Sequence, residues 1–196
     1  MARVKGLFVK NNGFNNPLLC YSNFALFRAI SGNYKMATKK MTLGRVCEYL
    51  VQVIIEAKTG CVVKNLNDDQ INHPVTDLKV MNSSNNDVAY RVSVKAKDSD
   101  SWPGVRGVQN NNEYMVFVDV KHDNDPDFYI LSQKQWGAVL RKILPNRDHG
   151  AEIVNGAIEW NWIDEGQQKK HRGSKLYPEE ILRYKDNWSV LPGVLE

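Results

Sequence analysis

Glu48, Asp77, Ser93 and Lys95 are the residues of this chain whose types and order suit chemistry on a phosphodiester. A carboxylate holds a hard cation, a lysine on a neighbouring strand positions or deprotonates a water, and a second carboxylate reaches in from a helix. Lysine charge beside the reacting phosphate would stabilise the transition state.

The elements that must position these groups are legible from periodicity. Leu43, Val46, Cys47, Leu50, Val51, Ile54 and Ala57 form one apolar stripe and predict a helix over 43–58. Thr42 is placed to cap its start and Gly60 to end it, with Glu48 at the edge of the stripe. Cys61–Lys64 reads as a short strand. Asp77 is expected inside a second strand over 75–80 and Lys95 in a third over 90–97, the two joined by a turn at 82–87. Alternation in the third strand sets Ser93, Lys95 and Lys97 on one face and Val92, Val94 and Ala96 on the other. Tyr114–Val118 suits a strand buried on both faces, Asp127–Leu131 a further strand, and Ser132 caps a helix that stops at Pro145. Residues 98–107 read as a loop, and the last 50 as short elements carrying several aromatic residues. The fold class is α/β, a small mixed sheet between helices.

From Leu43 to Lys97 the order of Glu48, Gly60, Asp77 and Ser93-Val94-Lys95 resembles the PD-(D/E)xK nuclease superfamily. The likeness runs on through Ser101–Gly107, the 113–120 strand, Pro126–Leu131 and Tyr184–Trp188, and is to small bacterial members of that group. It implies a restriction-endonuclease-like sandwich, Mg²⁺-dependent cleavage of DNA with Mn²⁺ as a substitute, a site made of Glu48, Asp77, Ser93 and Lys95, and a cation held by Asp77, the Val94 carbonyl and Glu48 through water. One position departs from the pattern. Ser93 stands where the superfamily has a carboxylate or amide, and a neutral hydroxyl is a weaker ligand for a hard cation. The alternative is a catalytically degenerate member that binds nucleic acid or a protein, and RNA is an alternative substrate.

Other constellations compete. Asp119-Val120-Lys121 is an acidic-x-Lys triplet with Asp98 and Asp100 upstream, while Pro126-Asp127 has no such triplet on a following strand. The four histidines lack metal-ligand spacing, though His73 lies near Asp77. Neither phosphate-loop motif is present, which disfavours nucleotide hydrolysis. Cys47 faces the apolar stripe and reads as core. Lys97 and Arg106, with Lys169, Lys170 and Arg172 in a 167–172 loop, are candidates for phosphate contact, and Trp102 for stacking on a base.

At 196 residues, with 42% hydrophobic and 24% charged residues, the chain has the make-up of a globular protein. A net charge of +4 is compatible with a polyanionic partner. Three cysteines make no even framework and no Cys-x-x-Cys pair, and no apolar run is long enough to span a bilayer. These features point to the cytoplasm. Residues 1–41 read as an extension packed on one catalytic domain over 42–196, leaving contact with DNA or with a second copy in a homodimer open.

Overall fold

The computed structural model describes residues 42–68, 76–82, 85, 87–121, 125–147 and 150–194. The expected extension over 1–41 and three of the histidines, His73, His122 and His149, lie outside them.

Helix α1 (Leu43–Thr59) forms where the apolar stripe placed it. The Thr42 side chain accepts from Arg45 N, and Gly60 ends the helix with a left-handed φ of 66°. Its stripe, from Val46 to Ile55, is buried against one face of a five-stranded sheet. Each such side chain contributes about 1.5–3 kcal/mol by leaving water, so α1 is held by packing rather than by propensity.

The sheet comprises β1 (Val62–Asn65), β2 (Leu78–Met81), β3 (Val88–Lys97), β5 (Glu113–Asp119) and β6 (Asp127–Ser132), in the order β1-β2-β3-β5-β6. β3 and β5 run parallel and the other neighbours antiparallel, so the sheet is mixed. β5 is buried along its whole length, as a central strand covered on both faces must be. Val92, Val94, Val116 and Val118 face α1. Met115, Phe117, Tyr129 and Leu131 face the second layer, where helix α2 (Gln133–Ile143) brings Trp136, Val139, Leu140 and Ile143. Ser132 caps α2 in a reciprocal capping box with Gln135. The molecule is thus mixed α/β with a helix on each face of a mixed sheet.

Two regions differ from the sequence expectation. The 98–107 segment contains a strand, β4 (Trp102–Val105), paired with β10 (Ser174–Leu176). A three-stranded antiparallel sheet of β7 (Ala151–Val154), β8 (Ala157–Asp164) and β9 (Gln167–Arg172) replaces the expected short elements. β9 is the segment read as a loop, because its polar residues carry no apolar alternation to announce a strand. Gly107 admits no side chain: a Cβ there would lie 1.6 Å from Trp136 Nε1.

Glu113 fixes the entry to β5. Nearly fully buried, it accepts the backbone N–H groups of Gln109 (3.0 Å) and Asn110 (3.1 Å) and the Asn110 amide (2.7 Å). Burial opposes its ionisation, but the Asn110 side-chain and backbone donors, Gln109 N–H and the Arg91 charge outweigh it and hold its pKa below the usual glutamate range. A depressed folded pKa stabilises above the unfolded value and loses that contribution as pH falls through the folded one. Glu113→Gln is therefore expected to cost about 1–3 kcal/mol at pH 7 in urea unfolding. The gap to the parent protein should narrow in acid, and a gap independent of pH would show that the charge is irrelevant.

Candidate functional site

Asp77 lies on a bend one residue before β2, not inside the strand as the sequence suggested. Its backbone is pinned on both sides, with Asp77 N donating to Val92 O (3.1 Å) and Asp77 O accepting from Leu66 N (2.9 Å). Its side chain points to the face of β3 that carries Ser93 and Lys95. Asp77 Oδ2 accepts from Val94 N (2.7 Å) and from Ser93 Oγ (3.2 Å), and Lys95 Nζ stands 3.7 Å away. Lys95 Nζ also donates to Ser93 Oγ (2.9 Å) and to the Val94 carbonyl (3.2 Å). Asn67 Nδ2 reaches Asp77 Oδ1 at 3.3 Å. Three oxygens of three chemical kinds therefore converge on one cation, the lysine ammonium. The Lys95 side chain keeps 35% of its exposure, whereas that of Asp77 keeps 16%, so the cluster opens to solvent on the lysine side.

Glu48 does not join this cluster directly. It is buried and accepts from Arg45 Nη1 at 2.6 Å. The same nitrogen donates to Asn65 Oδ1 (2.8 Å), and Arg45 Nη2 bonds Asp68 Oδ1 (2.5 Å) and Tyr49 Oη (3.2 Å). Asn65 Oδ1 in turn accepts from Asn67 N (3.0 Å), and Asn67 is the residue that holds Asp77. Glu48 and Asp77 are thus joined through Arg45, Asn65 and Asn67. Sequence reading missed these three residues. The signal for Arg45 was its place three residues before Glu48 on the helix. Asn65 and Asn67 carried none.

The donor set fits a hard cation held loosely. Mg²⁺ is commonly bound by one or two carboxylates and keeps several waters. Asp77 offers one carboxylate, Ser93 a hydroxyl and Val94 a carbonyl. Asn65 Nδ2 and Thr76 Oγ1 are buried without a hydrogen-bond partner among the described residues. No group of three or more His, Cys, Asp or Glu suited to a metal occurs among the described residues, so an all-protein cage is not what this site offers. Any cation here shares its ligands with Lys95.

Several basic groups are placed otherwise than expected. Lys97 is buried, paired with Asp119, bonded to Ser99 O (2.9 Å), and 4.7 Å from the Trp102 ring centre. Trp102 is a core residue, edge-on to Phe117 and Tyr129, with Nε1 donating to Lys95 O (2.9 Å). Neither meets a phosphate or a base in this arrangement, which corrects the sequence reading of both. Trp102 instead fixes the strand that carries Lys95. Lys170 and Arg172 pair with the buried Glu159, at 2.5 and 3.1 Å. Arg106 is exposed and donates to Arg172 O (3.4 Å), and Lys169 is exposed on β9 without a salt bridge among the described residues.

The rival triplet is consumed by structure. Asp119 is buried against Lys97, and Lys121 pairs with Asp100 at the surface. Asp127 pairs with Lys185 at 2.7 Å. Cys47 is fully buried, and desolvation together with the Glu48 charge pushes its thiol up to about 12, so it is no nucleophile at neutral pH.

Comparison with protein-family models, curated sequences and solved structures gives no match. Among the described residues, no helix is long and apolar enough to cross a membrane.

Proposed function

We propose that this protein is a metal-dependent nuclease of the restriction-endonuclease-like kind, acting on DNA, with Asp77, Ser93, Val94 and Lys95 as its centre. The observation that carries this reading is the convergence of Asp77 Oδ2, Ser93 Oγ and the Val94 carbonyl on Lys95 Nζ, at 3.7, 2.9 and 3.2 Å. Oxygens gathered on the ammonium of a part-exposed lysine suit a phosphodiester and a bound Mg²⁺. A cation bound there would supply Lewis-acid polarisation of the phosphate and a more acidic water. Asp77, Val94 O and Ser93 would hold it. Lys95 orients the attacking water and stabilises negative charge on the phosphate as the bond breaks. Glu48, through Arg45 and Asn65, keeps the Asn67–Asp77 contact in place rather than touching the reacting atoms. The buried thiol of Cys47 accords with a reducing, cytoplasmic setting.

A second reading has its own observation. The 2.7 Å bond from Val94 N to Asp77 Oδ2 caps β3 where its partner strand ends, a structural task that needs no catalysis. On that reading the chain is a nucleic-acid-binding or protein-binding module of the same architecture. Supercoiled plasmid and single-stranded DNA, incubated with Mg²⁺, Mn²⁺ or EDTA, separate the two: cleavage that EDTA stops supports the nuclease.

Ser93 provides a finer test. Ser93→Asp sets a second carboxylate beside Asp77, where like-charge repulsion in the metal-free protein is relieved by a cation. Mn²⁺ affinity by calorimetry is expected to rise about tenfold, the equivalent of about 1.4 kcal/mol. Unchanged affinity would mean that position 93 does not face the cation.

A further inference from the structure

Away from the Asp77 cluster, a groove of about 540 Å³ opens between the β7–β9 sheet and the β10 strand. Its walls include Trp160, Trp162, His171, Tyr177, Arg147 and Lys175. Strand register explains the assembly. Trp160 pairs with His171 and Trp162 with Lys169, so two indoles, an imidazole and a lysine share one face of the small sheet. The opposite face carries Glu159, which pairs with both Lys170 and Arg172 and offsets one of their two positive charges. The side facing the groove keeps its positive charge, because Lys169 and Lys175 form no salt bridge among the described residues. Arg147 is anchored by Glu180 (2.9 Å), Ser174 Oγ (2.9 Å) and Lys175 O (2.9 Å), a fixed cation rather than a mobile one.

Two further features indicate what enters. Trp162 is 46% exposed, a large apolar surface left in water. Trp160 packs on His171 (ring centres 5.5 Å apart), and its Nε1 is buried, without a hydrogen-bond partner among the described residues. The ligand is therefore flat and neutral or anionic. An ammonium suited to an aromatic cage is disfavoured by the cations in the wall. A duplex is disfavoured because its base faces are already stacked.

We propose that this groove binds unstacked bases of a single-stranded nucleic acid. Trp162 supplies the stacking surface, and Lys169 and Lys175 take flanking phosphates. The proposal goes beyond the nuclease reading and stands whether or not the Asp77 cluster cleaves.

Anisotropy titrations of the full chain in EDTA test it with three labelled 12-mers: oligo-dT, an abasic deoxyribose-phosphate strand, and a duplex. Oligo-dT is expected to bind tightest. Trp162→Ala should weaken it about 5- to 150-fold, which corresponds to about 1–3 kcal/mol per stacked base, and Trp162→Tyr should restore most of the loss. An oligo-U arm assigns RNA or DNA as the source of the bases. Equal binding of abasic and base-bearing strands, or a Trp162→Ala variant with a native circular-dichroism spectrum and parental affinity, overturns the proposal. Displacement of oligo-dT by poly-glutamate at equal charge concentration also overturns it, in favour of an acidic protein segment. Because no metal is present, failure here is distinct from failure of cleavage, which Asp77→Asn tests.

Discussion

Asp77→Asn and Lys95→Ala are each expected to reduce metal-dependent DNA cleavage by about 10²–10³-fold or more, the size typical of removing one preorganised group from a transition state. The choice of variants follows from the hydrogen bonds. Asp77→Ala would strip the acceptor from Val94 N and confound loss of chemistry with loss of a β3 contact. Asparagine keeps an oxygen for that N–H and removes only the charge. Lys95 is part-exposed and bonded to Ser93 and Val94 O, so alanine there removes the ammonium with little disturbance of packing. Cleavage rates measured alongside thermal unfolding separate the effects. Unaltered cleavage in both variants, with cleavage lost in Asp119→Asn, would move the centre to the rival triplet. No cleavage by the parent protein with Mg²⁺ or Mn²⁺ would leave the binding-module reading in force.

The largest stability effect is expected at Lys97. Its side chain is 1% exposed and that of its partner Asp119 is 6% exposed. Removing one member of a buried ion pair leaves the other charge without compensation, at a cost of about 3–5 kcal/mol. For a chain of this size that corresponds to a fall in Tm of roughly 6–20 °C. Lys97→Ala should therefore unfold early. Lys97→Met with Asp119→Leu, which removes both charges and keeps the volume, should regain most of the loss, because a well-packed apolar pair often equals or exceeds a buried salt bridge. The folded double variant should bind DNA with the parental salt dependence, since a buried lysine releases no counterions. A flatter slope would place Lys97 on phosphate after all.

These expectations divide along the line between local pattern and long-range contact. Helix α1, with its Thr42 cap and Gly60 stop, was legible because its apolar stripe, cap and terminator all lie within 20 residues. The double burial of β5 and the Ser132 cap of α2 were legible for the same reason. So was the shared face of Ser93 and Lys95, which strand period alone dictates. Asp77 beside Ser93 followed from reading a hairpin, and the β2–β3 pairing places it there. Composition could not separate Lys97 from Lys95. They share a face two residues apart, yet Lys95 ends in an open cluster, while Lys97 meets Asp119 of β5 and the ring of Trp102. That difference depends on parallel pairing with a strand some twenty residues away. Glu48 read as a site carboxylate reaching in from the helix, and only the return of Asn65 and Asp68 to Arg45 shows it held in a buried ion pair instead. The 151–172 sheet went unread because its polar strands carry no burial pattern. Its aromatic face exists only once Trp160 and Trp162 of β8 are set opposite His171 and Lys169 of β9. Sequence determines which groups can do chemistry and which elements carry them. Tertiary pairing decides which charges are cancelled and which are left facing solvent, because cancellation requires a partner that the chain brings back from far away.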